Sequence, residues 1–255
     1  AVTYDPDSGV NIEQQVTIRL KANPDKPISL KSELEKCSET IDATKSLNLG
    51  VVLEDGVFAE IVDDLIYMNI FDCNLKIELN EKSTCKFSAK FLCPKLTQQT
   101  CEQSRLPENC PVIKRSLRLE HNGENSESSA KICFAGKHGR SLDFKAIQAH
   151  KASDTTSNLS IKSVLSDGSI FLCNTMIEID EQIENTNSLQ ENKNLLIGTP
   201  RRIKTSPNLE ISANKVKCMH GSVTGKIDSE HLFYMASRGI NKPESELMII
   251  GAFLN

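Results

Sequence analysis

Alternation constrains this chain more than any other feature. From about Ile12 to Ile227, apolar residues recur at every second position in short runs. Examples are Val16-x-Ile18-x-Leu20, Leu75-x-Ile77-x-Leu79, Phe87-x-Ala89-x-Phe91, Leu142-x-Phe144-x-Ala146, Leu159-x-Ile161, Ile177-x-Ile179, Leu209-x-Ile211 and Val216-x-Cys218. Neighbouring side chains of an extended strand point to opposite faces, so each run buries one face and wets the other. Turn-forming clusters such as Glu54-Asp55-Gly56, Asn80-Glu81-Lys82, Asn122-Gly123 and Ser166-Asp167-Gly168 close the runs, with almost no helical pattern between them. A mainly β chain follows. Regular short strands suit a β-sandwich or a parallel β-helix (β-solenoid), in which coils stack and each rung buries aliphatic side chains against the next. The variable connections fit the solenoid, and the pattern alone leaves the β-sandwich open.

Three stretches interrupt the alternation. Residues 21–46, with two prolines and many charges, read as an irregular excursion; Pro94 to Pro111 and Glu181 to Asn194 read as surface loops. The C-terminus changes character. Asp228 caps a helix with Glu230 in its first turn, and Leu232, Phe233 and Ala236 give it an apolar face. Gly239 supplies the left-handed residue that ends it, with Ile240 beyond. Asn241 then starts a second helix carrying Pro243 and Glu244 in its first turn and Leu247, Ile250 and Phe253 on one face. The expected organisation is a variable N-terminal segment at 1–40, a β-helix core at 41–227 and a C-terminal helical segment at 228–255.

Composition narrows the function. The net charge of −4 gives no reason to expect nucleic acid, and with no Trp and three Tyr the chain offers few stacking surfaces. No apolar run reaches the ~18 residues of a membrane helix, so no membrane partner is expected. Nine scattered cysteines without a Cys-x-x-Cys argue against a structural zinc site, and most read as small buried hydrophobes. No nucleophile elbow, phosphate-binding glycine loop or dinucleotide fingerprint occurs. Asp63-Asp64 reads as a charged turn. His121 and His138 read as solvated, His231 as a surface residue, and His150 closes a strand-like run.

Cys218-Met219-His220 stands apart. Two residues apart on a strand, Cys218 and His220 share a face, and thiolate and imidazole suit iron–sulfur chemistry. On spacing alone, a buried Cys beside a hydrogen-bonded His at a strand end is the favoured explanation.

The surrounding words carry a resemblance: Pro207-x-Leu209-Glu210-Ile211, Val216-Lys217-Cys218-x-His220-Gly221, Leu232-Phe233-Tyr234 and Ser237-Arg238-Gly239-Ile240. Upstream, Asn122-Gly123-Glu124-Asn125-Ser126 and Gln190-x-x-Lys193-Asn194-Leu195-Leu196 match in order and spacing. Over about residues 117–253 the chain resembles the SufB/SufD family of iron–sulfur cluster assembly scaffolds, and its Cys-x-His-Gly form resembles the SufD side. Asn192 stands about where SufB has its cluster cysteine. Thr175 and Asn187 replace a frequent Gly and acidic residue.

The resemblance implies a right-handed parallel β-helix and a cytoplasmic scaffold without catalytic residues, or a plastid-type location in a eukaryote. It implies pairing with SufB and the ATPase SufC, and a homodimer when alone. A transient Fe–S cluster would assemble at the SufB interface, with none held stably by this chain. Cys218 and His220 would be the cluster and interface residues, and metal ligands shared with SufB. Leu232, Phe233, Tyr234, Arg238 and Ile240 would lie in a shortened SufC-docking region. A β-helix carbohydrate-active enzyme or adhesin, and a SufB-like paralogue, are the alternatives.

Overall fold

The computed structural model describes residues 2–4, 14–24, 26–35, 46–65, 72–91, 112–136 and 140–255. The chain begins with β1 (Val2–Tyr4), β2 (Gln14–Leu20), β3 (Ile28–Ser29), α1 (Leu30–Glu35), β4 (Leu47–Leu53) and β5 (Phe58–Asp63). It continues through β6 (Asp72–Leu79), β7 (Thr84–Phe91), β8 (Ile113–His121), β9 (Glu127–Gly136), β10 (Ser141–His150) and β11 (Thr156–Leu165). The last strands are β12 (Ile170–Ile179), β13 (Glu184–Leu196), β14 (Arg202–Ile211) and β15 (Lys215–Lys226), before α2 (Ser229–Ser237) and α3 (Lys242–Leu254).

From β2 onward successive strands alternate between two sheets. One has the order β1-β2-β4-β6-β8-β10-β12-β14, the other β15-β13-β11-β9-β7-β5-β3. Among the described residues only β1 pairs antiparallel; every other neighbouring pair of strands is parallel. The chain is therefore a parallel β-helix, each coil supplying one strand to each sheet, and the sandwich alternative falls. Rungs stack about 4.8 Å apart, so each side chain meets its counterpart on the next coil in a column. Leu49, Leu75, Leu117 and Ala146 form one such column, and Val51, Ile77 and Leu119 the next. These residues are buried, and each large aliphatic one contributes about 1.5–3 kcal/mol. The turns stack too. Gly56 N–H donates to Glu81 O and Lys82 N–H to Glu124 O, and a Cβ on Gly123 would run into the Glu81 backbone.

Three expectations fail. Within 21–46, Ile28 and Ser29 pair with Ile61 and Val62, and Leu30 and Leu34 of α1 are buried. Glu181–Asn194 is not a loop: Glu184–Asn194 belongs to β13, which pairs on both sides. Its inward side chains are Thr186, Ser188, Gln190, Asn192 and Asn194, all buried, so the strand has its alternation but no hydrophobic signal. Asp63 is no charged turn. It ends β5 inside the coil and accepts from Arg115 Nε at 3.1 Å, with both side chains almost fully buried. The Pro94–Pro111 loop, His138 and Cys37, Cys93, Cys101 and Cys110 lie outside the described residues.

The C-terminal helices form as their caps predict. Asp228 accepts from Glu230 N–H, Asn241 from Glu244 N–H, and Gly239 takes φ +81°. α3 lies on the outside of the second sheet, where Ile250 packs with Val164 and Leu195. α2 buries no residue; Phe233 and Ala236 face solvent rather than the coil.

Candidate functional site

Among the described residues β14 and β15 are the last strands of their sheets, and the interior of the coil is open beyond them. Register decides what faces that mouth. Ser188, Gln190, Asn192 and Asn194 point inward, and their ladder partners on β15 are Cys218, His220, Ser222 and Thr224. Two contacts confirm the parity: Ser222 and Thr205 of β14 meet at 3.0 Å across the lumen, and Asn194 Nδ2 donates to Thr224 Oγ1 at 3.0 Å. Cys218 and His220 therefore both face the mouth.

Their burial differs. Cys218 is half-buried beside Ile177, Ile179 and Ile183. That burial pushes its thiol above the ordinary value, so at neutral pH the sulfur is protonated until a base takes the proton or a binding metal displaces it to solvent. His220 is exposed, as are Met219 and Val223 on the outer face. Cys73, Cys85 and Cys173 differ in kind: burial pushes each up to about 12, which leaves them inert packing groups. Among the described residues no group of three or more His, Cys, Asp or Glu gathers as a metal site. Cys218 and His220 are two metal-capable side chains, fewer than the four a cluster usually takes from protein.

Beneath the mouth lies a polar interior that the sequence did not announce. Cys218 tops the column Ala59, Cys85, Ser128, Ser157, Ser188. Alongside, His121 and His150 stack with ring centroids 4.7 Å apart. His121 is fully buried, not solvated, because both ring nitrogens find hydroxyls: Ser126 at 2.8 Å and Ser128 at 2.9 Å. His150 does the same with Thr155 at 2.7 Å and Ser157 at 2.9 Å, and Ser157 meets Ser188 at 2.8 Å. Burial, reinforced for His121 by its neighbour His150, lowers the two to about 3 and about 4. Both are neutral at physiological pH. The signal available in sequence was a repeated His-x4-[Ser/Thr]-x-Ser word, at His121-Ser126-Ser128 and His150-Thr155-Ser157. Only stacked coils give it meaning.

The helical residues form a second surface. Phe233 and Tyr234 are exposed by 77% and 58%, Arg238 lies over the Tyr234 ring at 5.2 Å, and Leu232 and Ile240 are half-buried. Leu247 and Met248 of α3 are exposed as well.

Comparison with known proteins fixes the family at this point. The family "SUF system FeS cluster assembly, SufBD core domain" matches residues 109–253, more than half of the chain. The chain belongs to the SufBD family. It is 33% identical over 142 residues to the iron-sulfur cluster assembly protein SufD of Escherichia coli, covering 56% of this chain and 34% of that one. A SufBD family protein of Synechocystis is 40% identical over 68 residues, 27% of this chain and 15% of the relative. One of Staphylococcus saprophyticus is 30% identical over 133 residues, 52% and 28% respectively. The chain thus spans about a third or less of the length of these relatives. The SufBD match contains the mouth, the polar lumen and both helices. Among the described residues no helix is long and apolar enough to cross a membrane.

Proposed function

We propose that this chain is a SufD-like scaffold of iron–sulfur cluster assembly, without catalysis of its own, in which the lumen mouth supplies half of a transient cluster site. The supporting observation is the pairing of Cys218 with His220 on one face of a terminal strand, at an edge with no neighbour beyond it among the described residues. An unpaired strand edge is a template for another chain, and two ligands need others to complete a cluster. SufB is the partner this reading assigns to the edge, with iron and sulfide as cargo passing through the joint site. A second copy of this chain would use the same edge when SufB is missing. The exposed face of α2, carrying Phe233, Tyr234 and Arg238, is the surface assigned to SufC; aromatic and Arg side chains dominate such contacts.

Anaerobic reconstitution with SufB and SufC tests this. The wild-type chain is expected to co-purify with both and to support cluster formation, seen as the visible absorption of iron–sulfur charge transfer. The double variant Cys218→Ala, His220→Ala should keep the complex and lose most of that absorption. If it assembles clusters as well as wild type, the ligand assignment is wrong. If the unaltered chain captures neither partner, the scaffold reading goes with it.

A further inference from the structure

A cavity of about 10 Å³ lies in the lumen one rung beneath the mouth, lined by Leu159, Ile161, Thr175, Gln190, Asn192 and Pro207, among others. Two buried polar atoms of its wall find no partner: Gln190 Nε2 and Asn192 Oδ1, on side chains only 3% and 7% exposed. Leaving such groups bare forfeits their hydration with nothing in return, so native interiors rarely do so. The Gln190 amide is anchored at its other end, where Oε1 accepts from Thr175 Oγ1 at 2.9 Å, from the opposite sheet.

These two atoms select the occupant. An amide N–H repels a cation, and an amide oxygen repels an anion. A molecule that accepts from one and donates to the other satisfies both, and the volume is close to the minimum that admits one water. Hydrosulfide is larger and charged. Gln190 is also the ladder partner of His220, and Asn192 that of Ser222, so whatever joins the two amides forms the floor of the mouth.

We propose that this cavity binds a single water between Gln190 Nε2 and Asn192 Oδ1, and that through this water Gln190 is a positioning residue for His220. The water closes a polar bridge from Thr175 through Gln190 to Asn192, which fixes the amide of the residue that is the ladder partner of His220. The water site stands on the lumen geometry alone; the value of positioning His220 rests on the function proposed above.

A high-resolution crystal structure of the chain should show one water about 2.7–3.2 Å from both atoms. Density for a dry cavity, or a direct Gln190–Asn192 hydrogen bond, overturns the site. Ring ¹⁵N signals of His220 then test the positioning. Gln190→Leu and Asn192→Leu should each lose the water and move these signals alike, although Asn192 is not the ladder partner of His220. A shift in the Gln190 variant alone, or in neither, rules out action through the water. Thr175→Val, which frees Gln190 Oε1 without adding bulk, gives the same readout should a leucine variant fail to fold. Reconstitution separates the two proposals: an observed water with cluster assembly indifferent to His220 defeats the function, whereas a dry cavity with His220-dependent assembly defeats only this inference.

Discussion

Between β4 and β7 the lumen is filled by Leu49, Val51, Ile61, Ile77 and Phe87, whereas along β13 the inward positions hold Ser188, Gln190, Asn192 and Asn194. The columns are continuous: Ile61, Phe87, Ala130 and Leu159 lead to Gln190 and His220. One backbone geometry therefore supports two kinds of interior. The apolar coils gain stability from burial, which is large and undirected. The polar coils gain less net stability, since each hydrogen bond contributes about 0.5–1.5 kcal/mol, but they fix which atom meets which. An aliphatic end would leave its last rung against water. A polar end can remain open, ready for a ligand or another chain.

The comparison breaks most visibly if polar chemistry is moved to the apolar end. Ile61→Asn, in the column that ends at Gln190 and His220, should cost about 4 kcal/mol or more by urea denaturation, since the buried amide has no partner there. A cost near 1 kcal/mol would mean the apolar coils tolerate what the polar ones use.

Acid sharpens the contrast next. His121 and His150 are lowered to about 3 and about 4 in the folded state, against an ordinary 6.5. Between those values the unfolded chain binds more protons, so stability is full above about pH 6.5 and falls as pH drops through the folded values. Thermal midpoints should decline over this window in wild type, and a His121→Leu, His150→Leu variant should flatten the dependence even if its midpoint at pH 7 is lower. An equally steep decline in the variant would assign the acid sensitivity to other groups.

Smaller effects are expected at the open end. Asn194→Ala loses the bond from Ser163 at 2.6 Å and the one to Thr224 at 3.0 Å, and should cost about 1–2 kcal/mol. Ser222→Ala loses only the exposed contact with Thr205 and should stay within about 0.5 kcal/mol in the same denaturation assay. If Ser222→Ala proved the more damaging of the two, the terminal rung would be better packed than its exposure implies.

How far the sequence reached follows the same division. The aliphatic strands and both C-terminal caps were legible, because local spacing carries them: two residues per side-chain repeat, and an Asp or Asn whose oxygen reaches a backbone N–H two or three residues on. Cys218 and His220 were legible as a pair for the same reason. β13 was missed because an inward Ser, Gln or Asn is indistinguishable from a loop residue until its partners are known. His121 was misplaced because its hydroxyls are local while the burial that neutralises it comes from coils on either side.

By itself, then, the sequence determined that the chain is built of short strands with a helical end, and that one thiol and one imidazole share a strand face. Parallel coiling was implied by the family resemblance, although alternation left the sandwich open; tertiary structure alone decided that Glu184–Asn194 lines the lumen, and that Cys218 and His220 stand at its mouth. The reason is range. Alternation and capping are fixed within a few residues, whereas the lumen is made by partners about 30 residues apart, such as Ser157 and Ser188, which only stacking brings within 2.8 Å.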